Sequence, residues 1–127
     1  MILLSELNKK NLPLTLVIES NLITLCARLN KIREAWGKPM IVTSGLRSEG
    51  QQENLIKAGR SSATHSKHLV GCAADILDED GSLKAWLKEN PTILEDALLW
   101  CEAAESTPTW CHFQIVPPGS GHRWFLP

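Results

Sequence analysis

The sequence predicts an α+β domain in which helices pack against a small antiparallel sheet. The chain has 127 residues, which suits one domain with a hydrophobic core of its own. Its apolar patterns follow one another as helix, strand, helix, loop, strand, helices and strand. Runs of this kind favour an α+β architecture. We therefore expect a single domain over residues 1–127.

The first predicted element is a helix of about five turns. Its apolar residues recur at steps of three and four, which places them on one stripe: Leu22, Leu25, Cys26, Leu29, Ile32 and Trp36. Gly37 supplies a C-terminal stop, and Pro39 prevents the helix from continuing. The apolar, partly β-branched run at Met40–Thr43 then predicts a buried strand.

The middle of the chain combines a short helix, a polar loop and a second strand. Ser48 and Gln51 have the spacing of a capping box, which predicts a short helix. The stretch that follows, up to Lys67, is polar and without periodicity, so we expect a surface loop. Cys72–Leu77 is a small apolar run that predicts a strand. The carboxylate of Asp75 therefore lies within a predicted core strand.

Two helices, a strand and a tail are predicted for the last third of the chain. Ser82 and Thr92 can each cap a helix, and the helical period of the second one fades near Glu105. Trp110–Val116 predicts the last strand. The tail after it is rich in proline and glycine and should wrap the surface, anchored by two aromatic residues, Trp124 and Phe125.

The composition argues against several kinds of partner and location. Thirteen basic residues against fourteen acidic ones give a net charge of -1, which provides no field for nucleic acid or an anionic membrane surface. No basic leader precedes the first apolar residues, and no stretch reaches the roughly 20 apolar residues of a membrane-spanning helix. We expect synthesis in the cytoplasm without a signal peptide, no membrane insertion, and four reduced, buried cysteines.

A histidine and an aspartate lie close together around a glycine and suggest a metal site. His68 lies on the predicted loop, Asp75 follows seven residues later on a strand, and Gly71 lets the chain turn between them. Zinc accepts histidine nitrogen and carboxylate oxygen, and catalytic zinc usually has three protein ligands. His112 is the best third candidate, because it shares a strand face with Trp110, away from the apolar face.

Other interpretations of these residues stay open on spacing alone. A loop histidine is most often a surface residue, and an aspartate at a strand end is most often a turn partner. A structural zinc site built on cysteines would lack any close Cys-x-x-Cys pair, since the cysteines are Cys26, Cys72, Cys101 and Cys111. His65 and His122 are interpreted as surface histidines.

Three motifs, in order, resemble one family of zinc peptidases. They are Thr43-Ser44-Gly45-Leu46-Arg47-Ser48, then Ser66-x-His68-x-x-Gly71-x-Ala73-x-Asp75, then Trp110-x-His112-Phe113. This arrangement is similar to that of the zinc D-Ala-D-Ala carboxypeptidases and L-Ala-D-Glu endopeptidases, whose superfamily includes the hedgehog signalling domain. The resemblance extends over residues 20 to 116.

The resemblance implies a fold, a cofactor and a substrate. The fold would be α+β around a small antiparallel sheet, and Zn²⁺ would be held by His68, Asp75 and His112. Arg47 would orient the substrate or stabilise the oxyanion, and Ser66 would help to hold the substrate. The substrate would be the peptidoglycan stem peptide, cleaved by an endopeptidase or a carboxypeptidase. Small members of the family are commonly phage enzymes, so we expect a holin-released endolysin or a virion protein, with a monomer favoured.

The general base is the point at which this sequence departs from the family. Many members carry a glutamate three residues before the last ligand, where this chain has Thr109, and threonine is not an equivalent base. The hedgehog-like branch places its glutamate farther upstream. Glu105 is therefore our first candidate, because the helix should already be ending there, and Glu102 is the second.

Because the usual glutamate is absent, two functions from different classes have to be considered. The first is zinc-dependent hydrolysis of cell-wall peptides. The alternative is a catalytically silent zinc module that binds cell wall or a protein partner. A third hypothesis, a structural domain without metal, depends only on the surface interpretation of the histidines. Three scissile bonds stay open within the first function: D-Ala-D-Ala, L-Ala-D-Glu and a cross-bridge bond.

Overall fold

The computed structural model describes residues 1–48, 66–103 and 105–126. Its helices in these ranges are α1 (Leu4–Leu7), α2 (Leu16–Trp36), a 3-10 helix (Lys67–Val70), α3 (Ser82–Glu89) and α4 (Thr92–Ala97). Its strands are β1 (Val42–Ser44), β2 (Ala73–Leu77), β3 (Trp100–Glu102), β4 (Trp110–Gln114) and β5 (Trp124–Phe125). The α+β prediction is confirmed. The helix predicted after Ser48 and most of the polar loop lie outside the described residues.

Helix α2 forms the largest helical part of the core, as its apolar stripe predicts. Thr15 caps its N-terminus by accepting a hydrogen bond from the Ile18 amide, and Gly37 ends it in the left-handed conformation with φ 75°. The buried residues of this stripe are Leu22, Leu25, Leu29 and Ile32. These side chains belong to one cluster with sheet residues such as Ile76 and Phe113. Each such burial stabilises the fold by about 1.5–3 kcal/mol before entropy is counted.

The five strands form one sheet in the order β1-β2-β4-β3-β5. The pairs β1/β2, β2/β4 and β3/β4 are antiparallel, but β3 and β5 are parallel. The small sheet is therefore antiparallel, as predicted, except at the β3/β5 edge, where it is parallel. The tail runs beside β3 and accepts hydrogen bonds from the amides of Cys101 (2.8 Å) and Ala103 (2.7 Å). The tail thus pairs with backbone amides at the otherwise free edge of β3 and adds a strand to the sheet. It also buries Phe125.

The helix that was expected to fade near Glu105 ends much earlier. Helix α4 stops at Ala97, and Leu98 caps it in the left-handed conformation with φ 55°. The chain then enters β3, whose backbone pairs with β4 and β5. Helical spacing in this stretch was misleading because long-range strand pairing outweighs local propensity.

The acidic turn after β2 caps helix α3. The carboxylate of Asp78 accepts hydrogen bonds from the amides of Leu83 (2.9 Å) and Lys84 (3.1 Å), and Asp80 accepts one from Ser82 (3.0 Å). The predicted cap, Ser82, is instead the first residue of the helix. The two aspartates thus provide acceptors for the amides that have no partner within the first turn of the helix.

Within the described ranges, no helix combines the length and the apolar character needed to cross a membrane. All four cysteines carry free thiols. Cys72, Cys101 and Cys111 are buried, whereas Cys26 is half-buried.

Candidate metal centre and active site

Three side chains meet on the face of the sheet that points away from the α2 core. Asp75 of β2 lies directly opposite His112 of β4. The Oδ1 atom of Asp75 lies 3.0 Å from Nδ1 of His112 and 3.4 Å from Nε2 of His68. The candidate ligand atoms of the three residues all lie within 4.8 Å of one another. The structure thus brings together the three residues that the sequence suggested as metal ligands.

His68 is placed by the short 3-10 helix. Ser66 caps this helix, and its hydroxyl oxygen accepts a hydrogen bond of 3.2 Å from the His68 amide. Gly71 ends the helix with φ 75°, where a side chain would be strained and a Cβ would lie 3.1 Å from the Ile18 carbonyl oxygen. Only 2% of His68 is exposed, so the imidazole is rigidly held.

Gly45 connects the His68 ring to the N-terminal helix. The Nδ1–H of His68 donates to the Gly45 carbonyl oxygen over 2.9 Å. A Cβ at Gly45 would lie 2.8 Å from the Cα and the carbonyl carbon of Leu7, closer than real contacts allow. The amide of Leu46 also donates to the Leu7 carbonyl over 2.8 Å. Glycine is therefore required at this position by close backbone approach.

Arg47 holds the ligand carboxylate from the other side. Its Nη2 lies 3.2 Å from Oδ2 of Asp75, and its Nε–H donates to the Ser44 hydroxyl over 3.0 Å. This fork leaves Oδ1 of Asp75 for the two histidines. Burial lowers the pKa of Arg47, and the charge of Asp75 opposes that change. The sequence predicted a substrate or oxyanion contact for Arg47, and the structure adds a contact to a candidate ligand.

The electrostatics of the site favour an ionised carboxylate. Burial would raise the pKa of Asp75, but the hydrogen bonds and charges of His112 and His68 outweigh it and hold that pKa well below its ordinary value. Burial lowers the pKa of His68. Burial also acts to lower the pKa of His112, yet the hydrogen bond and charge of Asp75 raise it overall.

The donor set fits a zinc ion. The Nδ1–H of His68 is engaged by Gly45, which leaves the Nε2 lone pair directed at the site. Nε2 of His112 lies 3.1 Å from Oε1 of Gln114, and Nδ1 faces Oδ1 of Asp75 over 3.0 Å. With Nδ1 on a metal ion, the Nε2–H would donate to the Gln114 amide oxygen. Two imidazole nitrogens and one carboxylate oxygen thus lie close together. Three such ligands are typical of catalytic zinc.

The two acids considered as general base have very different surroundings. Cys101 of β3 pairs with Phe113 of β4, so the next residue, Glu102, lies beside His112 on the same face of the sheet. Glu102 is half-buried, and burial raises its pKa, with the charge of Asp75 adding to the rise and that of His112 opposing it. Glu105 is exposed in the following turn. These surroundings favour Glu102 as a candidate, whereas the sequence favoured Glu105, and the identity of the base stays a prediction.

Two residues of the site were missed in the sequence analysis. Gln114 shares the face of His112 two positions along β4, so strand alternation could have revealed it. The ring of Phe125 lies edge-on to His112, with centroids 6.1 Å apart and planes at 82°. No local pattern could have revealed that contact, because it depends on the parallel pairing of β5. His122 is exposed, as expected, and His65 lies outside the described residues.

A cavity of about 530 Å³ has Arg47 and Ser66 in its lining, but none of the three candidate ligands. Leu12, Ile18 and Leu46 contribute to its apolar wall, and Arg47 and Ser66 lie along its polar edge. Both residues predicted to contact substrate therefore border a space large enough for part of a peptide.

Comparison with known proteins agrees with this architecture. A family model described as Peptidase M15 matches residues 2–92, a range that includes His68 and Asp75 and ends before His112. The fold is similar to the crystal structure of Serratia marcescens L-Ala D-Glu endopeptidase ChiX, with a TM-score of 0.59 and 21% identity over 86% of this chain and 93% of that chain. No curated protein matches the sequence.

Proposed function

The chain belongs to the peptidase M15 family, and from this premise we propose that it is a zinc-dependent hydrolase of peptide bonds in bacterial peptidoglycan. The observation that carries the proposal is the convergence of His68, Asp75 and His112 within 4.8 Å. The structural neighbour is an L-Ala-D-Glu endopeptidase, which supports the stem peptide as the substrate class. When bound, zinc supplies a Lewis acid for the carbonyl group and a nucleophile at neutral pH.

Glu102 is the residue that we propose as general base and then general acid. Its carboxylate would take the proton of the attacking water as the new C–O bond forms. The same group would return a proton to the amine nitrogen as the C–N bond breaks. Burial supports this second step, because it raises the pKa of Glu102 and so stabilises the protonated form.

The peptidase is favoured over the catalytically silent module by the position of Glu102. The silent module was motivated by Thr109, which replaces the glutamate that many relatives carry. The site face of β3 offers another carboxylate, so the absence of a glutamate at position 109 no longer argues against catalysis. The family resemblance alone supports a role in phage lysis or in the virion. It leaves both endopeptidase and carboxypeptidase activity open.

Cleavage of cell-wall peptides by the zinc-loaded protein is the direct test of this function. We expect mass spectrometry of purified peptidoglycan fragments to show new stem-peptide products after incubation. The mass of the products identifies the bond: L-Ala-D-Glu, D-Ala-D-Ala or a cross-bridge bond. His112→Ala serves as the inactive control. A wild-type protein that binds zinc and cleaves none of these fragments would contradict the proposal and support the silent module.

Arg47→Lys should impair turnover while zinc stays bound. The lysine keeps a positive charge near Asp75. It lacks the planar guanidinium that donates to Ser44 through Nε and to Asp75 through Nη2. If Arg47 also stabilises the oxyanion, loss of that donor should lower kcat by about 10²–10³-fold. Zinc content and peptide release, measured on the same preparation, test this. Unchanged kinetics would limit Arg47 to a structural role.

A further inference from the structure

The face of the sheet that carries the metal centre continues beyond it to the β5 edge. On β4, His112 and Gln114 share this face, and Trp100 of β3 lies directly opposite Gln114. On β5, the ring of Phe125 meets that of His112 with 6.1 Å between centroids. The preceding residue, Trp124, packs instead against the buried cluster around α2. The site face therefore extends from β4 across β3 to β5.

Arg123 immediately precedes β5 and lies over the far end of this face. Its Cζ lies 4.2 Å from the centroid of the Trp100 ring. Its backbone carbonyl oxygen accepts a hydrogen bond of 2.8 Å from the Cys101 amide, which fixes the chain beside β3. A guanidinium stacked on an indole keeps its charge and leaves donors at its edge for other groups. Arg123 is thus a positioned cation on the same face as the three candidate ligands.

The charge of Arg123 has no acidic partner in the part of the chain that the structure describes. The ion pairs found there all involve Asp75, and none involves Arg123. The Nε atom of Arg123 is buried, and no described residue accepts a hydrogen bond from it. A buried donor without an acceptor costs free energy, and a guanidinium fork matches the geometry of a carboxylate. A carboxylate supplied by a ligand would therefore suit this position.

The distance between Arg123 and the metal centre fits a short length of peptide. Neighbouring strands lie about 4.8 Å apart, so the backbones of β4 and β5 are separated by about 10 Å. An extended peptide advances about 3.3–3.6 Å per residue. A peptide lying across the strands, with its scissile bond at His112, would bring to Arg123 a residue within about three positions of that bond. A D-glutamate or a C-terminal D-alanine there would present a free carboxylate.

We propose that Arg123, held in place by Trp100, is a specificity-determining residue that binds a free carboxylate of the stem peptide. The proposal rests on the function proposed above, since it places the stem peptide on the same face as the metal centre. Peptide binding can nevertheless be measured without zinc and without hydrolysis. The failure of one proposal is therefore distinguishable from the failure of the other.

The test measures the binding of three peptides to the metal-free protein by isothermal titration calorimetry. The first is a synthetic stem pentapeptide with lysine at its third position. The other two are the same peptide amidated either at the D-glutamate carboxylate or at the C-terminus. We expect the wild-type protein to bind one of the amidated peptides about 10–100-fold more weakly than the acidic one, as loss of a charged hydrogen bond predicts. The peptide that loses affinity identifies the carboxylate that Arg123 binds.

Arg123→Gln should remove this preference by weakening only the binding of the acidic peptide. Arg123→Lys should retain part of the preference, because the charge remains but the planar fork is lost. Lys88→Gln is the matched control, since Lys88 lies 5.3 Å from the ring centroid of Trp124, on the other side of β5. It removes a cation from a neighbouring indole and should keep the wild-type affinities. Thermal unfolding establishes that each variant is folded, and if Arg123→Gln does not fold, Arg123→Lys decides the question.

The proposal is overturned if the wild-type protein binds all three peptides equally or binds none of them. It is also overturned if Arg123→Gln keeps the preference, if Arg123→Lys keeps it in full, or if Lys88→Gln loses it to the same extent as Arg123→Gln. A wild-type protein that shows the preference but cleaves no peptide when loaded with zinc would refute the hydrolase and support the role of Arg123. Cleavage without any preference would refute the role of Arg123 alone.

Discussion

Glu102→Gln is expected to keep its zinc and to lose nearly all peptide cleavage. The amide cannot take a proton from water or return one to the leaving amine, and loss of general acid–base catalysis costs about 10²–10⁴-fold in rate. Zinc should remain because Glu102 is not one of the three converging ligands. Peptide release and zinc content, measured on the same preparation, test this expectation.

Glu105→Gln is the matched control for that variant. It changes the same chemical group three residues away, in an exposed turn, and should cleave at close to the wild-type rate. The opposite pattern, with Glu105→Gln inactive and Glu102→Gln active, would restore the preference drawn from the sequence. Normal cleavage by both variants would mean that another residue or the substrate provides the base.

His68→Ala and His112→Ala should each remove most of the zinc and, with it, all cleavage. Two ligands hold zinc much less tightly than three, and catalytic sites with fewer than three protein ligands are unusual. Each variant also leaves Asp75 without one of the two histidine contacts to Oδ1. Elemental analysis of the purified proteins gives zinc per chain directly.

The control for the ligand variants is His122→Ala, which removes an exposed histidine near the C-terminus. It should retain wild-type zinc and activity. Cys72→Ser and Cys111→Ser should also leave the metal in place, because neither thiol belongs to the converging group. Full zinc occupancy in His68→Ala or His112→Ala would show that the ligand set is wrong.

Local patterns were sufficient for the elements that build the frame of the site. The stripe of α2 appears as buried residues, and Gly37 ends the helix as expected. The strands β2 and β4 lie within the predicted runs, and strand alternation correctly separated His112 from the apolar face. These features depend on neighbours within a few residues, where periodicity is informative.

Long-range pairing accounts for what was predicted incorrectly. The stretch at Trp100–Glu102 retained helical spacing but became a strand, because β4 and β5 provide hydrogen-bonding partners on both sides. That one change moved Glu102 from a helix surface to the site face of the sheet. The same pairing made the tail an edge strand and brought Phe125 to His112.

The amino-acid sequence was sufficient to identify the candidate site residues: His68 and Asp75, seven residues apart, His112 on a later strand, and Arg47 before them. The tertiary structure alone decided how these groups are oriented. It brought three candidate ligands together, turned Gln114 toward Nε2 of His112, and placed Glu102 on the site face of the sheet and Glu105 in an exposed turn. The physical reason is that side-chain identity and local period belong to the chain, whereas hydrogen-bond direction and burial arise only when distant strands pair.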